Sequence, residues 1–474
     1  MATRRIMLTA LAAWFVNLAP GQSLFQMLGQ GLSAQGSMVF LEDTLTDIMY
    51  VGGSACYAGV DVTSPGIFSW DGSQFQAMGC GFNWDCVSQL SNGGLANPIT
   101  TLAFWGGELY AGGGIYSASG VAINHVARWD GSAWQPLGVG VDNNVTRLRG
   151  YPDGLYAVGS FTHAGGVEAN GLARWDGSSW HAVFDLPLFG TQSVNLLNDV
   201  AFYQGQCYIA GNFGGGNGLN DIAYYNGTEW TAIGNGLLGS FCWVNRLQEH
   251  AGLLYIAGFF TDQGQYGNPA NPGSGIVTWN GSEYQQLGSG TRGATNPNVL
   301  DITWINDTLY AIGAFNRIGE VPSGGLAQWD GDGWCSLVPP NYFNGGQGPI
   351  GSYRDTLIIG GGTTIAGPDT INCIAKWVGG AYVDSCGLSV GLREHTDSPA
   401  FVIAPNPAST SITLQGLPLT ATALLVRDML GRTVLRANAR SAWLDVEALP
   451  SGTYTVQVLD PDGSTLGTAR FIKQ

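Results

Sequence analysis

Seven times along the chain an aromatic residue is followed, five positions later, by a second one. The first members are Trp70, Trp129, Trp175, Tyr225, Trp279, Trp329 and Trp377, and the second are Phe75, Trp134, Trp180, Trp230, Tyr284, Trp334 and Tyr382. After the first aromatic comes Asp-Gly or Asn-Gly in six copies, and Val378-Gly379 in the last. These dipeptides tolerate the positive φ angles of a tight hairpin turn, so each copy reads as a β-hairpin tip. With Asp176 and Gly177 at the centre of a two-residue turn, Trp175 pairs with Ser178 and Ala173 with Trp180. Both aromatics then lie on one face as diagonal neighbours, a packing device without chemistry of its own.

A second signal precedes each hairpin. Tyr50, Tyr110, Tyr156, Tyr208, Tyr255 and Tyr310 are each followed three positions later by Gly, and Ile358 takes the Tyr place before Gly361. Before these come weaker apolar strands, such as Val145 to Leu148, Val244 to Leu247 and Val299 to Ile302. Each unit thus holds about four short strands in about 50 residues, which cannot bury both faces alone. A radial array of such sheets buries every face and leaves only short edges, which a linear solenoid with shorter rungs does not. The expected fold is all-β: a seven-bladed β-propeller of four-stranded blades over residues 24–390. Phe25 to Gly31 looks like an outer strand without a hairpin and is expected to close the ring, with Ala381 to Gly387 competing for that place.

The 73 glycines and 11% charged residues of this 474-residue chain agree with many short strands and tight turns. A net charge of −16 repels polyanions, which argues against nucleic acid as a partner. Arg4 and Arg5, the apolar run Ile6 to Ala19 and small residues up to Ser23 read as a signal peptide over 1–23. No later stretch is long enough for a transmembrane anchor. Eight cysteines in an exported chain are expected to pair rather than bind metal, and none forms a Cys-x-x-Cys motif.

The run Leu155 to Trp180 resembles kelch-type propeller repeats. It is closer still to repeats of fungal cortical cell-polarity marker proteins and of many bacterial exported proteins. That resemblance spans about residues 24–387 and implies a fold rather than a ligand. Beyond it, 391–400 reads as a linker and 401–474 as a small antiparallel β-sandwich of alternating residues. This tail resembles the C-terminal sorting domain of type IX secretion substrates. The matching pieces are Ala404-Pro405-Asn406-Pro407-Ala408, Asp428 to Val434 with Gly431 and Arg432, Leu449 to Val456 with Gly452 and Tyr454, and the closing Phe471-Ile472-Lys473-Gln474. The resemblance implies a bacterial protein of the Bacteroidota, read by the type IX machinery. In the family a sortase often removes the tail, leaving the protein lipopolysaccharide-anchored or released.

Residues that carry chemistry are sparse. The five histidines, His125, His163, His181, His250 and His395, form no motif and read as surface or loop residues. Asp71, Asp130, Asp176 and Asp330 are explained by turn chemistry. Asp-Thr-Leu at Asp43, Asp307 and Asp355 resembles a Bacteroidota O-glycosylation acceptor, but at the latter two a turn suffices. No catalytic residue, metal site or cofactor is assigned, and the chain reads as a non-enzyme. The expected role is surface binding, adhesion or scaffolding toward an unknown glycan or protein ligand. The alternative is a carbohydrate-active or other hydrolytic enzyme with acids from several blades. The irregular loops Phe82 to Asn97, Thr261 to Gly275 and Pro339 to Gly348 are the expected ligand contacts.

Overall fold

The computed structural model describes residues 23–33, 38–59, 61–79, 81–82, 98–118, 120–189, 195–214, 219–234, 236–237, 242–262, 268–269, 271–292, 297–344, 347–379, 401–417, 421–428, 433–439, 442–459 and 465–474. Residues 1–22 of the expected signal peptide, the expected linker and the Ala381 to Gly387 stretch lie outside them. The chain falls into two compact units, 1–388 and 389–474. Among the described residues both are built from β-strands, with no helix.

The first unit contains seven four-stranded antiparallel sheets among the described residues. Sheet 3 is typical: Val145–Tyr151, Gly154–Gly159, Leu172–Trp175 and Trp180–Ala182 pair in chain order. The first strands of sheets 1 to 7 are Met38–Asp43, Ile99–Trp105, Val145–Tyr151, Leu196–Tyr203, Trp243–His250, Asn298–Ile305 and Gln347–Tyr353. Each packs on the next, and Gln347–Tyr353 packs on Met38–Asp43, so the first strands form a closed cycle. Sheet 7 takes its fourth strand from the beginning of the chain: Phe25–Met27 pairs with Ile374–Trp377, Phe25 opposite Trp377. Phe25 fills the second aromatic's place there, its ring 5.1 Å from that of Trp377; Tyr382 lies outside the described residues.

The hairpins differ in register from expectation. Trp175 lies directly opposite Trp180, and Ala173 opposite Ala182, so the loop is the four residues Asp176 to Ser179. The Asp side chain is the cause. Asp176 Oδ1 accepts from the backbone N–H of Ser178 (2.8 Å) and Ser179 (2.9 Å), satisfying donors that a two-residue turn would have put in the ladder. Asp71, Asp130 and Asp330, and Asn226 and Asn280, repeat the bond. The two aromatics are direct cross-strand partners, their rings 5.5 Å apart in sheet 3.

Direct pairing lets both rings reach the preceding sheet. Trp175 lies over Gly138, where an added Cβ would sit 3.4 Å from the indole; Trp70, Trp129 and Trp329 lie likewise over Gly29, Gly79 and Gly288. Trp180 Nε1 donates to Leu137 O (3.0 Å), and Trp334 Nε1 to Leu287 O (2.9 Å). In sheets 3 and 6 one ring covers the glycine and its partner holds the carbonyl just before it, so these hairpins clamp their sheets to the ones before.

The tail has a three-stranded sheet, Val402–Ala404, Ser411–Gln415 and Trp443–Asp445, and a four-stranded sheet in the order Thr433–Asn438, Ala423–Arg427, Gly452–Leu459 and Thr465–Lys473. Phe401, Ile412, Leu424, Val456 and Phe471 belong to its single apolar cluster.

Cysteine usage departs from full pairing. Cys207, Cys242 and Cys373 are buried free thiols, each serving as a small core residue. Cys56 and Cys335 are disulfide-bonded. His125 lies in a turn, as a loop residue, but is buried at 5% exposure, its Nδ1 3.1 Å from Gly113 O, so it is not on the surface.

Candidate functional site

The first strands carry the polar chemistry, and a bulge places it. In sheets 2 to 6 the pairing skips one residue near the start of the first strand, at Thr100, Thr146, Asn198, Asn245 and Leu300. Four of these side chains reach the next first strand. Thr100 donates to Val145 O, Thr146 to Leu197 O, Asn198 to Val244 O (2.9 Å) and Asn245 to Val299 O (2.8 Å). In sheets 2 to 6 the bulge also explains the Gly after Tyr-x-x: a Cβ on Gly211 would sit 2.0 Å from Leu196 O, and one on Gly313 2.0 Å from Asn298 O.

One position further along, charge alternates from sheet to sheet: Arg147, Asp199, Arg246, Asp301. Asp199 is fully buried and accepts from Arg149 Nε (2.9 Å) and Nη2 (2.7 Å), Val200 N and Leu247 N. Asp301 accepts from Arg246 Nε (2.6 Å), Ile302 N and Ile350 N. Thr101 Oγ1 plays the same part toward Leu148 N. Each acceptor therefore pins the first strand of the following sheet, and each carboxylate has an arginine as counter-ion.

Two cavities flank this layer. One of about 440 Å³ is lined by first-strand residues that include Glu42, Arg147, Arg149, Arg246 and Asp301. Its carboxylates are all engaged, Glu42 by Arg354 N (2.7 Å) and Ser352 Oγ (3.2 Å). The other, of about 380 Å³, lies where the first strands of sheets 3, 4 and 5 begin, and among the described residues no charged side chain lines it. Asn144, Ser160, Asn198, Asn212, Trp243 and Asn245 give it its character.

Among the described residues neither cavity is lined by the irregular loops. The 83–97 stretch lies outside the described residues. The described part of Thr261 to Gly275 satisfies itself: Asp262 accepts from Ser274 Oγ (2.7 Å) and Arg292 Nη1 (2.7 Å). Among the described residues no cluster of three or more His, Cys, Asp or Glu could hold a metal. The Asp-Thr-Leu sites at Asp307 and Asp355 are turns in the left-handed region, at φ 60° and 57°. Asp43 binds the N–H of Leu45 and Thr46.

In the tail, motif residues distant in sequence meet. Asn406 donates from Nδ2 to Arg470 O (3.1 Å) and accepts from Ile472 N (2.9 Å). Ala408 N donates to Ile472 O, and Gln474 N to Ala408 O, so the Pro405-Asn406-Pro407 segment is laced to the last strand. Gly452 pairs with Lys473 and Tyr454 with Phe471, whose rings stack 5.6 Å apart. Tyr454 Oη donates to Pro450 O (2.8 Å). Gly431 and Arg432 lie outside the described residues.

Residues 402–474 match the family described as Secretion system C-terminal sorting domain. No curated protein matches the chain. Among solved structures, PorZ, an essential bacterial surface component of the type-IX secretion system of Porphyromonas gingivalis, is similar at 14% identity and a TM-score of 0.35. That match covers 90% of this chain and 64% of the PorZ chain. The WD40 β-propeller domain of Doa1 is 10% identical at a TM-score of 0.40, over 74% of this chain and 96% of that one. A fungal alcohol oxidase of the AA5 family in complex with copper is 12% identical at 0.42, over 95% and 99%.

Proposed function

We propose that this chain, whose sorting tail implies secretion through the type IX system to the cell surface or medium, is a binding, adhesion or scaffolding protein built on a seven-bladed β-propeller. Residues 24–390 form the propeller, and 401–474 form a small β-sandwich that the secretion machinery reads and a sortase removes. Pro405, Asn406, Pro407, Gly431, Arg432, Gly452, Tyr454 and Lys473 are its recognition residues. The observation that carries the export reading is the family match over 402–474. The lacing of Asn406 and Ala408 to the last strand supports it, because it makes the two ends of the motif one surface.

Binding is favoured over hydrolysis by what the carboxylates already do. Glu42, Asp199 and Asp301 each hold a strand or an arginine through several hydrogen bonds, which leaves none of them placed as a free proton donor and base pair. Among the described residues no helix is long and apolar enough to cross a membrane. Truncation at Ser398, expressed in the native host, should leave a folded first unit that stays in the periplasm. Surface display of that truncation at the full-length level would overturn the export reading.

A further inference from the structure

We propose that the uncharged cavity at the start of the first strands of sheets 3, 4 and 5 is a binding site for a neutral carbohydrate; this rests on the reading of the protein as a surface binder. Its volume, about 380 Å³, lies in the range of small-molecule clefts, roughly 300–1,000 Å³. That holds a sugar unit or two, and it is too small to seat a folded partner.

The chemistry of the wall selects the class. A sugar hydroxyl both donates and accepts, and an amide side chain offers both in return. Among the described residues, the side chains of Asn144, Ser160 and Asn212 line the cavity without a hydrogen-bond partner, so their capacity is unspent. Asn198 is oriented by its bond to Val244 O (2.9 Å) and Asn245 by its bonds to Val299 O (2.8 Å) and Asn298 Oδ1 (2.9 Å). Each spends its Nδ2 on this and keeps its Oδ1 as an acceptor. The amides are thus held by the strands that carry them, which lowers the cost of ordering them on binding.

Trp243 supplies the second element. Its indole is half-buried in the cavity wall and braced by Phe259, ring centroids 4.6 Å apart. A flat, rigid ring beside amides suits a pyranose, which has an apolar C–H face and a polar rim. Charged sugars are disfavoured because among the described residues no charged side chain lines the cavity to pair with them, and the chain's net charge of −16 repels anions.

The test uses the purified full chain on an array holding neutral, uronate-bearing and sulfated oligosaccharides. Titration of the best neutral binder by tryptophan fluorescence follows, with wild type, Trp243→Ala and Asn212→Asp. Asn212 is exposed, so its variant leaves the core untouched while it replaces the amide's donors with a charged acceptor at the rim. Retention of neutral glycans, weakened tenfold or more by both variants while both stay folded at the assay temperature, is the expected result. Neutral-glycan binding that neither variant weakens overturns the site while leaving a surface binder. Preference for the anionic glycans, or no retention of any glycan at millimolar concentration, overturns the ligand class. The surface-binding reading then stands or falls separately, on adhesion of cells displaying the protein against cells lacking it.

Discussion

Each paired aromatic holds two sheets at once, so its loss is felt in both. Trp175→Ala or Trp329→Ala is expected to destabilise the first unit by about 3–5 kcal/mol, since the ring's packing over Gly138 or Gly288 disappears with the cross-strand contact. Trp180→Phe keeps a ring but removes one of the two donors to Leu137 O, leaving the N–H of Gly140, and should cost about 1 kcal/mol. Chemical denaturation of the three variants checks both figures. Asp221 provides a pH-dependent case. Burial pushes its carboxyl up to about 7, against the hydrogen bonds it receives from Cys242 and Phe213 N. A folded-state value above the unfolded one means the native state holds the proton more tightly. Its stabilising contribution is therefore complete below about pH 4 and fades as pH rises through 7, by about 4 kcal/mol at most. Unfolding midpoints at pH 5 and 8 should diverge in the wild type and draw together in Asp221→Asn. An equal drop in both would rule Asp221 out as the source. The aromatic pairs were legible in the sequence because their spacing is local. The loop length was not, because it turns on whether the Asp side chain or the partner strand takes the N–H of Ser178.

At the scale of the strand, the bulge is what makes the first strands a polar layer. Gly211→Ala would drive a methyl into Leu196 O and should destabilise by about 2–3 kcal/mol, more than an alanine in an ordinary strand interior. Thermal melts beside Gly177→Ala, at a turn where only the backbone angle objects, separate close approach from conformational strain. The sequence marked these glycines through the Tyr-x-x-Gly spacing but gave no hint of their partner, a carbonyl in the strand before. The cavities were hidden for the same reason. Thr146, Asn198 and Asn245 look like unrelated polar residues in weak apolar runs, and only the bulge aligns them in neighbouring sheets. Loop irregularity, the signal that was available, pointed elsewhere.

For the whole first unit, the seam between sheets 7 and 1 is built differently from those among sheets 3 to 6. In place of alternating charges on the first strands, Phe40 packs against Gly351 and Gly360 there, and Arg354 reaches across to Asp47 at 2.8 Å. Phe25, 2% exposed, closes sheet 7 against Tyr342, Phe343 and Trp377. Phe25→Ala should lower the midpoint of the whole unit rather than melt one sheet, a distinction that hydrogen exchange resolved by sheet would make. Because the oldest segment of the polypeptide finishes the youngest sheet, the molecule wears a clasp. A protease that nicks one connection between sheets cuts the thread without opening the bracelet, and the two pieces stay fastened until the clasp is pulled.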